Sequence, residues 1–242
     1  MTNSEESLHG QSSWLNRFQD YIGEFVYGGI DGSVTTFAVV AGSAGAQLDS
    51  AVVIILGFAN LIADGFAMSV GSYLSTKSEK QKYQKHKNIE YWEVDHLPEK
   101  EREEVREIYA AKGFEGELLE KVVDQITADK DRWVDVMMKE ELEMAEENKS
   151  PIAMGAVTFI SFLILGFIPL IIYVVDYTVG TEADLFLYSS VMTFIIFGLI
   201  GYAKSYVTNT SRIRGVFETL FLGGSAALLA YFVGDILEKL IV

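Results

Sequence analysis

The sequence predicts an all-α polytopic membrane protein with five transmembrane helices and a helical domain inserted between the second and the third. Half of the 242 residues are hydrophobic, yet the formal net charge is −15. Apolar spans kept apart from a charged block reconcile those two values; a single soluble core does not. Five apolar stretches each reach the roughly 20 residues that a bilayer requires. The charge gathers between the second and third of them, where residues 76–150 hold 14 of the 19 Lys and Arg and 21 of the 34 Asp and Glu.

The chain divides into a polar tail with an interfacial helix (1–23), spans one and two (24–75), the charged block (76–150) and spans three to five (151–242). In the first segment Trp14, Leu15, Phe18 and Ile22 fall near one face of a short helix suited to the membrane surface. Met1-Thr-Asn-Ser-Glu-Glu has neither a basic n-region nor a small-residue cleavage pattern, so no signal peptide is expected. The chain has no cysteine, which excludes a disulfide framework and a thiolate metal site. The acidic balance argues against nucleic acid and for cationic ligands.

Span one, about 24–46, contains Phe25-Val-Tyr-Gly-Gly-Ile-Asp-Gly-Ser-Val-Thr-Thr-Phe-Ala-Val-Val-Ala-Gly42. An ionisable side chain inside a span is costly, and Asp31 therefore marks a pathway or a binding site by default. The bland alternative is a hydrogen bond from Asp31 to a neighbouring helix. On a helix Asp31, Thr35, Ala38, Gly42 and Gly45 share one small, polar face. Gly28 and Gly32 stand four apart, a spacing that admits a second helix at close range. Span two, about 51–75, holds its polar residues in one wedge: Asn60, Asp64, Met68, Gly71 and Ser75. With Asp31 these offer hard and soft ligands at membrane depth. Carboxylates there bind either a divalent ion or protons, and that competition is the simplest basis for antiport.

The charged block reads as a small folded helical domain. From Lys77 to Asp95 there is no Gly or Pro, so span two continues as helix. Pro98 stops it and suits the first turn of a helix over 99–111, and Gly113 ends that one. A helix over 117–128 carries the apolar stripe Leu118, Leu119, Val122, Val123 and Ile126. A further helix over 131–147 turns Trp133, Val136 and Met137 inward. Glu90 and Glu93 are three apart, as are Glu101 and Glu104, so each pair projects from one helical face. Antiparallel packing across Pro98 lets the four carboxylates converge, and such a cluster repels itself unless cations occupy it. Met137-Met-Lys-Glu-Glu141 adds two thioethers, from Met137 and Met138, beside the carboxylate of Glu141. Thioether favours a softer transition ion over Mg²⁺ or Ca²⁺. Against this, acidic pairs on helices are usually solvated faces and Met137 is an apt core filler. Glu103, Glu107, Glu115 and Glu120 are not separated from the proposed ligands by spacing, and His86 and His96 are further donors.

Ser150-Pro151 reads as a capped helix start. Span three, about 152–175, is expected to kink at Pro169. An acidic loop over 176–184, span four over 185–206, a basic turn over 208–214 and span five over 215–237 complete the chain. Arg17, the basic residues of the charged block, and Lys204 with Arg212 and Arg214 all fall on one side. The loops on the other side have no Lys or Arg. The positive-inside rule places the N-terminus and the charged block in the cytoplasm and the C-terminus opposite.

Three segments carry a resemblance: Asp31-Gly-Ser-Val-Thr-Thr-Phe-Ala-Val-Val-Ala-Gly, Ala67-Met-Ser-Val-Gly-Ser-Tyr-Leu-Ser-Thr-Lys-Ser-Glu79 and Trp133-Val-Asp-Val-Met-Met-Lys-Glu-Glu-Leu142. Together with the spacing of Glu90, Glu93, Glu101, Glu104, Met137, Met138 and Glu141, they resemble the vacuolar iron transporter family over nearly the whole chain from Glu24. The resemblance implies a homodimeric exporter that moves Fe²⁺ and Mn²⁺ out of the cytoplasm in exchange for protons. It implies that Asp31 and Met68 line the pathway and that the Glu and Met residues of the insert gather ions. One position departs from the family pattern: Asn60 stands where the family has a pathway glutamate, and Asp64, one turn nearer Met68, is the candidate replacement.

The expected partners are divalent metal ions, protons, membrane lipid and a second copy of the chain, with no nucleic acid. No catalytic residue or cofactor is expected, Fe²⁺ and Mn²⁺ being the ions carried and bound. The plasma membrane of a bacterium is the first expectation and a vacuolar or other organellar membrane the alternative. A membrane-anchored iron store or ferroxidase is the competing function. It calls for Glu-x-x-His pairs on bundle helices, and it leaves Asp31, Asp64 and Met68 without a role. A metal-sensing membrane scaffold is a third class; metal flux in sealed liposomes separates all three.

Overall fold

The computed structural model describes residues 13–181, 183–208 and 210–241. The polar tail over 1–12 and the side chains of Trp14, Leu15 and Phe18 lie outside that description. Among the described residues every regular element is helical. Among the described residues five helices are long and apolar enough to cross a membrane, and they coincide with the five expected spans. The chain forms two compact units, one running to Tyr73 and resuming at Lys149, the other Leu74–Asn148.

The first unit is built around α1 (Ser13–Gly45). The expected interfacial helix and span one are one continuous helix. Helix α2 (Ser50–His96) is 47 residues long and contributes its first half here. Span three is α6 (Pro151–Gly166), a tight turn over Ile168–Leu170 and α7 (Ile171–Val179). The break falls at Pro169, as expected from its missing N–H. Ser189 Oγ donates to the Pro169 carbonyl at 2.7 Å, which satisfies a group that a kink otherwise exposes to hydrocarbon. Spans four and five are α8 (Leu185–Val207) and α9 (Arg212–Ile241).

Phe37, Val40 and Ala41 of α1 form the core with Val53, Leu61, Phe162, Leu170, Tyr173, Phe197 and Ala227. Phe37 meets Phe194 and Phe197 edge-on, with ring centres 6.1 and 6.5 Å apart. Side chains such as Ile55, Ile62, Phe66, Phe217, Phe221 and Leu229 point outward as an apolar coat, the surface that lipid requires. Gly28 and Gly32 are consumed inside the chain. A Cβ on Gly28 would lie 2.6 Å from the Thr158 carbonyl oxygen, and one on Gly32 2.5 Å from that of Phe162. The helix that this glycine spacing admits at close range is therefore the chain's own α6.

The second unit comprises the rest of α2, α3 (Pro98–Ala111), α4 (Gly116–Thr127), α5 (Lys130–Val136) and a π-helical turn over Met137–Glu141. Gly113, at φ 92°, ends α3, and Phe114 N–H closes back on the Tyr109 carbonyl. The Asp129 side chain caps α5 by accepting from Arg132 N–H. Its core is Tyr83, Val94, Val105, Val123, Ile126, Trp133, Val134, Met137 and Met138. Two expectations need correction. Leu118 is 59 % exposed, so the buried stripe of α4 begins at Leu119. The last helix stops at Glu141 rather than 147: Glu143 adopts φ 51°, and Met144 N–H bonds to the Met138 carbonyl, which folds the chain back onto the core.

Candidate functional site

The second unit gathers acid where its fold reverses. Helix α2 ends at His96, and Pro98 starts α3 after one intervening residue. The reversal brings Glu90 of α2 beside Glu101 in the first turn of α3, and the π-helical turn delivers Glu141 to the same place. One oxygen from each of the three lies within 4.8 Å of the others. Glu90 is 3 % and Glu101 1 % exposed, while Glu141 forms the open side. Glu90 Oε2 and both oxygens of Glu101 accept no hydrogen bond. A buried carboxylate without partners costs several kcal/mol or neutralises itself.

The electrostatics run toward the neutral form. Burial pushes the Glu90 carboxyl up to about 7, helped by Glu141, Glu93 and Glu104 and opposed by Lys100. Burial likewise pushes Glu101 up to about 7, helped by Glu104, Glu93 and Glu90. Glu141 is raised for the same first reason, with Glu104 next. Glu93 and Glu104 thus act on the three-carboxylate centre from its edge. Lys100 Nζ lies 2.7 Å from Glu104 and 3.9 Å from Glu101, a partial counter-charge that is itself solvent-exposed.

Burial separates these ligands from the other acids, which spacing did not. Glu103 and Glu120 pair with Arg106, and Glu117 pairs with Lys121, all on the surface. Met137 and Met138 are wholly buried in the apolar core, beside Val94 and Val105 of the two helices that bear Glu90 and Glu101. They are structural residues of this unit as well as candidate soft donors. The wide turn they open, with Leu142 N–H on the Met137 carbonyl at 3.1 Å, is the kind of insertion that recurs at functional sites. One Glu-x-x-His does occur, Glu93-Val-Asp-His96. However, His96 Nδ1 lies 2.8 Å from the Trp92 carbonyl and its ring stacks on Trp92, so it supplies no ligand to the three-carboxylate centre.

The first unit holds a polar seam between α1 and α2. At one end Asn60 Nδ2 donates to Thr35 Oγ1 at 3.4 Å, and Thr35 Oγ1 donates to the Asp31 carbonyl at 2.8 Å. At the other end Ser72 Oγ donates to Glu24 Oε2 at 3.0 Å. Met68, four residues from both Asp64 and Ser72, is half-buried against the core. These two pairings share one antiparallel register, which sets Asp64 opposite Asp31 and runs Asn60, Asp64, Met68 and Ser72 down α2 as Thr35, Asp31 and Glu24 run up α1. Asp31, Asn60, Asp64 and Met68 are therefore on one seam. The sequence reading missed Glu24. Its signal was available: it stands seven residues, close to two helical turns, before Asp31.

Fold and seam together define a polytopic helical membrane protein with acidic side chains on its candidate spans and a second, acidic helical unit. Similarity narrows the class. A model of the VIT family matches residues 22–235. The chain is 35 % identical over 233 residues to "Vacuolar iron transporter" of Toxoplasma gondii, an alignment covering 93 % of this chain and 77 % of the relative. It is 31 % identical over 220 residues to "Vacuolar iron transporter 1" of Arabidopsis thaliana, covering 90 % and 87 %. The chain belongs to the VIT family.

Proposed function

We propose that the protein exports divalent transition metal ions, Fe²⁺ and Mn²⁺, from the cytoplasm in exchange for protons. In this reading the unit Leu74–Asn148 is cytoplasmic and gathers the ions, and the seam of Asp31, Asp64 and Met68 carries them. The observation that bears most weight is the three-carboxylate centre, where three buried oxygens accept no hydrogen bond. A divalent cation satisfies all of them at once. The names of the relatives support iron as cargo. Asn60 leaves the seam with one fewer acid than the family pattern, so Asp31 and Asp64 are the groups that exchange ion for proton. The protein acts as a homodimer, paired through a surface other than Gly28 and Gly32.

The experiment is flux into sealed proteoliposomes carrying a metal indicator and an internal pH dye. Metal-driven proton movement supports antiport. Metal binding with no flux would establish the store reading instead.

The three-carboxylate centre also predicts a pH dependence. Glu90 and Glu101 titrate near 7 in the fold, against 4.5 for an ordinary glutamate. Between those values the apo fold holds protons that a metal must displace, so Mn²⁺ affinity falls as pH drops from 7.5 to 5.5. The same shift makes the apo unit lose stability as pH rises through that window, because the folded state binds more protons than the unfolded one. Mn²⁺ should restore it. Calorimetry in two buffers of different ionisation enthalpy would count the protons released; pH-independent affinity would refute the assignment of these two side chains.

A further inference from the structure

The far end of the seam holds an arrangement the transport reading has not used. Glu24 Oε2 accepts from two hydroxyls on two other helices, Ser72 Oγ of α2 and Thr158 Oγ1 of α6, each at 3.0 Å. Thr158 is wholly buried, and its Oγ1 also lies 2.9 Å from the Met154 carbonyl, one helical turn back. A hydroxyl has one proton to donate. Thr158 therefore gives it either to Glu24 or to Met154, and both choices leave the hydroxyl satisfied. Breaking the bond to Glu24 orphans neither side, because Thr158 keeps Met154 and Glu24 Oε2 keeps Ser72.

We propose that Glu24 is a further ion-contacting carboxylate of the transport path, and that Thr158 positions it by holding it in reserve. With Thr158 donating to Glu24, the carboxylate is tied to α2 and α6. With Thr158 turned to the Met154 carbonyl, Glu24 keeps only the Ser72 hydroxyl and can meet a divalent cation moving along the seam. Glu24 and Asp31 share a helical face about 10 Å apart along the axis, a spacing for successive ion positions rather than one shared site. Ser72 and Thr158 are neutral, so they hold the carboxylate without competing for the cation. This inference rests on the transport reading.

The test uses the full chain in proteoliposomes, with Mn²⁺ as the probe ion. Glu24→Gln keeps an oxygen that accepts both hydroxyls and removes only the charge. If Glu24 meets the ion, this variant keeps the melting temperature of the wild type while its Mn²⁺ flux falls by about 10-fold, the loss of one charged contact. Thr158→Val keeps the shape and leaves Glu24 held by Ser72 alone. Flux at low Mn²⁺ should then rise by about 3-fold, the scale of one hydrogen bond between membrane helices. That rise should vanish in the Glu24→Gln background. Wild-type flux in Glu24→Gln overturns the role of Glu24, and reduced flux for Thr158→Val in both backgrounds overturns that of Thr158. Absence of Mn²⁺ flux in the wild type overturns the transport reading itself, and this inference with it.

Discussion

Asp31→Asn abolishes metal flux while leaving the protein folded and its three-carboxylate centre able to bind Mn²⁺. The amide has the shape of the carboxylate, so α1 keeps its seat against α6 and the Thr35 bond to the Asp31 carbonyl is untouched. Lost are the negative charge and the capacity to exchange a proton. A desolvated cation deprived of one charged partner loses about 3 kcal/mol, or about 100-fold. No neighbour on the seam replaces it: Thr35 and Asn60 are neutral and bonded to each other. Asp64 projects from the opposite helix of the seam with its own geometry. Flux of both metal and protons in proteoliposomes should therefore fall to background. Retention of coupled flux by Asp31→Asn would reduce Asp31 to a packing residue and leave Asp64, Met68 and Glu24 as the path.

The five spans were legible because their signal is local: apolar length, the Pro169 break and the Ser150-Pro151 start need no tertiary knowledge. What failed depended on tertiary contacts. Leu142-Glu-Met-Ala-Glu-Glu147 has the composition of a helix, but Leu142 and Met144 return to the core and the helix yields at Glu143. The Gly28/Gly32 spacing told that a backbone would come close without telling whose, and it is the chain's own α6. The acids of the insert were countable but not rankable. Glu90 and Glu101 differ from Glu103 and Glu120 only through burial, which the reversal at Pro98 decides. Glu24 escaped because at the edge of a span a glutamate reads as an interfacial residue; its two hydroxyl partners lie 48 and 134 residues away in sequence.

The double change Glu90→Gln and Glu101→Gln is expected to separate metal binding from folding, in opposite directions. Each carboxylate is buried and raised to about 7, chiefly by burial. At pH 8 the apo protein must therefore keep both ionised, close to Glu93, Glu104 and Glu141. Amides remove that repulsion and can bond to each other where the carboxylates could not. The Leu74–Asn148 unit of the apo double variant should then unfold at a higher temperature than wild type at pH 8, and the difference should shrink toward pH 5 as the wild-type groups take up protons. Metal binding should move the other way. Two direct ligands are lost, so Mn²⁺ affinity should drop by more than the ~10–100-fold that removal of an outer partner of a metal ligand brings. Melting curves of the full chain with and without Mn²⁺ report both effects. A variant that melts lower without metal, or that keeps the Mn²⁺-induced rise, would show that Glu90 and Glu101 are held in place for packing and that the ion is bound elsewhere.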